Sequence, residues 1–443
     1  MRKTLLVIMI PVLIAGCGAR SPYDRARISD TLEGRTGHPL RTDASSVGTE
    51  TPAGIVLEDG LTSEEAGALA LWNNAAFQAD LAELGIARAD LRDAGLLRNP
   101  LLTLLFPLGP KQFEATMNLP IDLIWQRPKR VAAASLNVER VASNLVDHGL
   151  ALVRNVFKAY ADLDWARTRA EVLKDSALVM KEIADLTSAR ERAGDISGLE
   201  ATAIGLQAAR AAEDALAASR DAELAEENLR LLLGLGLERR ALLLAAGPPP
   251  AKEPGEIAGL LEAAYAFRPT LRAAELAVEA AGKKIGWERS KVFSVLGLVD
   301  VNGEGKEGFE MGPGLLVELP LFNQNQGKTA RAREEMTQSL HLYEAERQRI
   351  ARDVRDALSH YAAAQKALEI VGRDLMQTAV SAEAGAEKAY ARGAISYLSL
   401  LDHKRRVLDA RLREAEDLAL LRRAEADLRY SIGFKPMGSG QAD

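Results

Sequence analysis

Residues 303–308 read Gly-Glu-Gly-Lys-Glu-Gly, a literal match to the glycine fingerprint that cradles a dinucleotide's pyrophosphate. That chemistry needs the glycines between a strand and a helix N-terminus, with an acidic residue about twenty positions further on. Here they precede a second strand-like run, FEMGPGLLVELP, so they read as a surface turn. Gly327-Lys328-Thr329 has the tail of a phosphate-binding loop, but Phe322 stands where the first glycine is required. His38, His148, His341, His360 and His403 share no ligand spacing such as H-E-x-x-H, and solvated helix positions account for them. No nucleophile with its base and no carboxylate pair is legible. The sequence therefore predicts no active site: not an enzyme, with no cofactor and no metal centre.

Composition agrees with that reading. The 443 residues are 47% hydrophobic and 27% charged but only 5% aromatic, with Ala, Leu, Arg and Glu prominent, which favours long helices over a dense enzyme core. A formal charge of −6 argues against nucleic acid as a partner. The basic run Arg127-Pro128-Lys129-Arg130 reads as a solvated face. The single cysteine, Cys17, follows a basic start (Met1-Arg2-Lys3) and a short apolar run from Leu5 to Ile14. That run is too short to span a bilayer and suits a secretory signal. It ends in Leu13-Ile14-Ala15-Gly16-Cys17, which resembles the bacterial lipobox, where cleavage leaves a lipid-bearing cysteine. Gly18 follows where a lipoprotein retained at the inner membrane would carry Asp, so the resemblance implies the outer membrane.

The elements that would make up the fold come next. Residues 18–60 read as an extended tether. Thr62 and Glu65 have capping-box spacing ahead of a helix running to about Leu97, stopped by Asn99-Pro100. Two short strands follow, 101–106 and 113–119, with Pro107–Pro110 as their turn. In the second, Phe113, Ala115, Met117 and Leu119 face one way and Glu114, Thr116 and Asn118 the other. A helix from about Pro128 to Arg192 would be on the order of 100 Å long. Its return, from Ser197 to Leu233, ends at Gly234. The order then repeats: a helix at about 256–291, strands at 293–302 and 309–319, and a proline-free run broken at Arg392–Ser396 and ended by Gly433. Pro120/Pro320, Gly194/Gly393, Ser197/Ser396 and Gly234/Gly433 keep a spacing of about 199–200, so the chain reads as a duplication.

Backbone groups inside a bilayer are satisfied only by helices or closed barrels, and single-chain barrels have at least eight strands. Four strands per chain would therefore need several chains. The junctions LPIDLIWQRPKRVAAA (119–134) and LPLFNQNQGKTARARE (319–334) would mark where barrel gives way to helix. In this setting LTSEEAGALALWNNAAF at 61–77, AGLLRNPLLTL at 94–104 and GDISGLEATAIGLQAARAA at 194–212 carry a resemblance. So do RPTLRAAELAVEAAGKKI at 268–285, ELPLFNQNQGKTARA at 318–332 and GAISYLSLLDHKRRVLDAR at 393–411. Over residues 61–434 the chain resembles the TolC-type outer-membrane efflux proteins, and PLFNQNQG is most similar to their cobalt–zinc–cadmium branch.

The resemblance implies a mainly α fold with a small β part, trimeric, with a twelve-stranded barrel continuing into an α-helical periplasmic tunnel. It also implies a periplasmic adaptor and an inner-membrane pump as partners. The turns at Gly194, Ser197, Gly393 and Ser396 would be the periplasmic tips, which in the family meet the adaptor; their bland reading is simple chain reversal. Ser399 and Asp402 align with two aspartates that constrict the family's pore, and Tyr390 with a gating tyrosine, while Ile395 replaces a gating arginine. Glu200, at the equivalent place in the first repeat, is a further carboxylate for such a gate. Ordinary solvated helix acids are the alternative.

The expected organisation is a signal peptide at 1–16, a lipidated tether at 17–60, repeats at 61–244 and 256–434 around a linker at 245–255, and a tail at 435–443. The expected function is a passive outer-membrane exit duct for heavy-metal cations or small toxic compounds, a homotrimer in contact with outer-membrane lipid. Two rivals stand beside it: a protein-secretion duct, and a periplasmic coiled-coil scaffold lipoprotein without a pore. The alternating strands argue against the scaffold.

Overall fold

The computed structural model describes residues 19–41, 50–52, 54–56, 59–106, 108, 111–237, 242–245, 255–304 and 308–434. Cys17, most of the 245–255 linker, parts of both hairpin turns and the 435–443 tail lie outside the described residues. The two compact units of the chain do not follow the two repeats. One comprises 1–28, 79–147 and 269–348, and the other 29–78, 148–268 and 349–443, so each takes material from both.

The repeated element order is present. In the first repeat, helices α2 (Ser63–Asn73) and α3 (Ala75–Gly95) precede strands β1 (Leu101–Leu105) and β2 (Lys111–Pro120), then α4 (Leu123–Arg192) and α5 (Gly198–Leu233). In the second, α6 (Ile257–Phe267) and α7 (Pro269–Ser290) precede β3 (Val295–Glu304) and β4 (Gly308–Val317). There α8 (Gln326–Ile370), a π-helical turn (Val371–Met376) and α9 (Gln377–Ala391) together match α4, and α10 (Tyr397–Ser431) matches α5. At 70 residues, α4 is about 105 Å long. No described helix is long and apolar enough to cross a membrane.

Three expectations about the helices need correction. First, the stretch expected as extended tether contains a helix, α1 (Arg25–Thr36). Its periodic signal is only Ile28 and Leu32, and tertiary packing decides the matter. Both are buried, and a Cβ at Gly149 would lie 2.9 Å from the Leu32 methyls, so that glycine makes the room Leu32 fills. Second, each leading helix is broken, at Asn74 and at Arg268, where extended backbone separates two shorter helices. Third, α4 begins at Leu123, so Pro128 is its sixth residue and leaves the Ile124 carbonyl without its helical partner. Contacts of residues 121–130 with other elements outweigh that loss.

Those contacts show what the two junctions do. The four strands form one antiparallel sheet in the order β1-β2-β3-β4, so the repeats are joined where β2 pairs with β3. After β2, Trp125 Nε1 donates to the Ser290 carbonyl at 3.2 Å. After β4, Asn325 donates from its side-chain amide to the Glu288 carbonyl (2.7 Å) and carboxylate (2.9 Å). Both junctions therefore fasten to the same place, the C-terminal end of α7, whose last carbonyls lack helical donors. Asn325 takes a left-handed φ of 55°, a conformation that Asn tolerates better than most residues. The basic run is a solvated face only in part: Pro128 and Lys129 are exposed, while Arg127 and Arg130 are half-buried. Arg127 Nε donates to the Gly95 carbonyl at 2.7 Å, and Arg130 to Ala94 (2.7 Å) and Leu96 (2.6 Å), capping the C-terminus of α3.

The sheet itself is open. Leu101, Leu102, Leu104 and Leu105 of β1 and Met311, Leu315, Leu316 and Val317 of β4 are exposed apolar side chains on its two edge strands. Cross-strand neighbours share a face, which places Glu114, Thr116 and Asn118 with Asn302, Asp300 and Leu298. On that face Thr116 donates to Asp300 at 2.8 Å, and Asn302 donates to its other oxygen at 2.7 Å.

In the second unit the ends of the first repeat meet. Leu61 and Leu244 form a parallel bridge, and the Tyr160 hydroxyl lies 2.8 Å from the Leu61 carbonyl and 2.7 Å from that of Ala245. Burial pushes the Tyr160 phenol up to about 12, so it remains a neutral donor. The returning helices α5 and α10 end alike. Gly234 and Gly433 adopt φ of 73° and 76°, and the next residues, Leu235 and Phe434, donate to Arg230 and Arg429 carbonyls at 2.8 and 2.7 Å. Each glycine lies against the end of a broken leading helix. A Cβ at Gly234 would stand 2.3 Å from the Asn73 carbonyl, and one at Gly433 2.7 Å from that of Phe267. The residues after each break cap the returning helices in turn: Asn74 donates to the Leu232 carbonyl (3.0 Å) and Arg268 to that of Tyr430 (3.2 Å).

Candidate functional site

The turns at the far ends of the long helices are built by the same rule as the inner ends. Gly194 and Gly393 take φ of 82° and 73°. Asp195 donates to the Arg190 carbonyl at 2.9 Å and Ala394 to that of Ala389 at 2.8 Å, closing equivalent helix ends. After the turn, Ser197 Oγ accepts from the Glu200 amide, and Ser396 Oγ from the Ser399 amide, each at 3.2 Å. Glu200 and Ser399 thus occupy matching third positions of α5 and α10, where the serine satisfies an otherwise orphan N–H. Residues 191–195 and 391–394 are exposed.

Beneath the turns, Met180 and Ile183 of α4 and Leu401 of α10 form a small core, with Ile204 and Ala208 of α5 and Tyr397 of α10 packed against it. Two tyrosines sit at its margin. The rings of Tyr390 and Tyr397 are 5.4 Å apart, and the Tyr397 hydroxyl donates to Glu182 at 2.7 Å. That bond pushes the Tyr397 phenol up from its ordinary range. It ties the hairpin of the second repeat to the long helix of the first. Sequence reasoning missed it, since the partners lie 215 residues apart and nothing in the local sequence of either points to the other.

Asp402 is engaged within its own helix: Arg405 lies 3.2 Å from one carboxylate oxygen and Arg406 3.0 Å from the other. Glu200 is exposed on α5, and Ile395 is half-buried in the turn. The carboxylate at 402 therefore carries two counter-charges, which the spacing Asp402-x-x-Arg405-Arg406 could have signalled as i,i+3 and i,i+4 pairs. Among the described residues no three His, Cys, Asp or Glu side chains gather as a metal site.

Among the described residues the arrangement offers helix ends, turns and ion pairs to a surface. Comparison with known proteins identifies the family. The chain is 25% identical over 362 residues to the cobalt-zinc-cadmium resistance protein CzcC of Cupriavidus metallidurans, covering 80% of this chain and 85% of that one. Its fold is similar to the Campylobacter jejuni outer membrane channel CmeC, with a TM-score of 0.69 at 15% identity, covering 89% of this chain and 92% of that one. It is similar also to CusC, with a TM-score of 0.67 at 18% identity, covering 89% and 98%. Residues 107–235 and 260–434, most of both repeats, match the outer membrane efflux protein family, and the chain belongs to that family.

Proposed function

We propose that this outer membrane efflux protein is the exit duct of a tripartite pump, working as a homotrimer whose three sheets close one twelve-stranded barrel. The observation that carries the reading is the open sheet. Two edge strands bearing exposed leucines and a methionine leave backbone groups unpaired, and a bilayer tolerates that only when the edges are closed by further strands. Exposed leucines along α5, at 199, 206, 216, 224 and 231, supply a second apolar surface for a neighbouring copy to cover. An inner-membrane pump supplies the energy and a periplasmic adaptor joins it to the turns at Gly194–Ser197 and Gly393–Ser396. The likeness to a protein named for cobalt, zinc and cadmium resistance favours heavy-metal cations as cargo. Cys17 carries the lipid that fixes the chain to the outer membrane.

In this reading the gate lies at the turns, with Tyr390, Ser399 and Asp402 at the second and Glu200 at the first. Arg405 and Arg406 offset the charge of Asp402, so the constriction works less as a bare acid ring than as a set of paired charges. Native mass spectrometry in mild detergent should report three copies, and planar-bilayer recordings of that species should show a conducting pore. A stable monomer or dimer, or a trimer that never conducts, would overturn the proposal.

A further inference from the structure

We propose that the N-terminal segment is a clasp that fastens corresponding corners of the two repeats, and that it does so at three points within one unit. At the first corner, Glu50 donates its backbone N–H to the Asn73 side chain at 3.0 Å and accepts from that amide at 2.8 Å. At the second, Arg35 donates to the Phe267 carbonyl at 2.5 Å. Asn73 and Phe267 are equivalent: each ends the first half of a broken leading helix, and each has its carbonyl against the terminal glycine of a returning helix. At the third point, His38 lies 3.8 Å from Glu64 of α2, whose other oxygen accepts from Arg429 of α10 at 2.9 Å.

The segment is built to hold these positions. Leu40 donates its N–H to Ser29 Oγ at 2.8 Å, folding the chain back on α1, and Trp72 Nε1 donates to the Pro39 carbonyl at 2.9 Å. Leu32 and Leu40 are buried. A passive tether needs none of this, since a flexible linker serves by length alone. Gripping both repeats at the same structural position makes the clasp a belt. It holds the ends of α5 and α10 while leaving the turns at Gly194 and Gly393 outside its reach.

Two amides report on the corners: Asn74 N–H, bonded to Ala70, and Arg268 N–H, bonded to Ala264, each at 2.9 Å. Hydrogen exchange on the full-length detergent-solubilised protein should be compared with a version whose residues 25–50 are replaced by a Gly/Ser linker of equal length. Both amides should exchange about tenfold faster or more, while amides near Gly194 and Gly393 keep their rates. Should that version fail to fold, Arg35→Gln and Asn73→Ala separate the corners. The first should speed exchange at Arg268 alone and the second at Asn74 alone. Unchanged exchange at both amides in the linker version, or in both single variants, would sink the clasp and leave a tether.

Discussion

Four glycines end four helices in the left-handed conformation, yet they do not have the same work. Gly194 and Gly393 stand in open space, where an added Cβ would meet nothing within 4 Å. Gly234 and Gly433 have a neighbouring carbonyl at 2.3 and 2.7 Å from that position. The outer pair is glycine because of backbone conformation alone, the inner pair because of conformation and space together. One motif thus serves as a free turn in one place and as a packing joint in the other. The joint is where returning helix, broken leading helix and N-terminal segment meet.

The contrast can be broken by substitution. Gly234→Ala and Gly433→Ala should do the most damage, because the obstacle is backbone and cannot swing aside. We expect losses at or above the upper end of overpacking, about 3 kcal/mol, read as a large fall in melting temperature or a failure to assemble. A thermal melt within a few degrees of the parent would show that the joint yields. Gly194→Ala and Gly393→Ala should cost only the left-handed penalty, about 1–2 kcal/mol each, with assembly intact. Equal effects at inner and outer positions would erase the distinction.

The smallest structural effect is expected at the turns' own polar tie. Tyr397→Phe removes only the bond to Glu182 between exposed partners and should leave the melting temperature unchanged. Its readout is conductance. If the tie restrains the second hairpin, the variant should spend more time open in bilayer recordings. A variant indistinguishable from the parent would make the bond incidental.

Much of this was legible in the sequence, and the reasons are local. The repeat showed because glycine at a helix end and serine at the next helix start are conformational necessities that recur at fixed spacing, as at Gly194/Gly393 and Ser197/Ser396. The strand at 113–119 showed through alternation, its partner at 101–106 only as a short apolar run between prolines. What stayed hidden depends on distant partners. Nothing around Arg127 and Arg130 announces that they cap another helix, and Trp125 and Asn325 share no chemistry until both are found on the end of α7. Helix α1 was illegible for the same reason, since two apolar residues gain their weight from Gly149, more than a hundred positions away. Among the site candidates, Ser197 and Ser396 were readable as caps. The pairing of Asp402 with Arg405 and Arg406 was written in the sequence spacing and needed only to be weighed against the alignment with a bare acid.

The open edges of the sheet set a race. A chain fresh from synthesis presents β1 and β4 with their leucines uncovered, and any other exposed strand can pair with them as well as the right one. If sister chains close the barrel as proposed, productive encounter with them has to outrun adhesion to everything else, and slow folding lengthens the dangerous interval. Defects in a joint far from the strands would then surface first as precipitate and poor yield. Conductance, measured only on the survivors, would look normal.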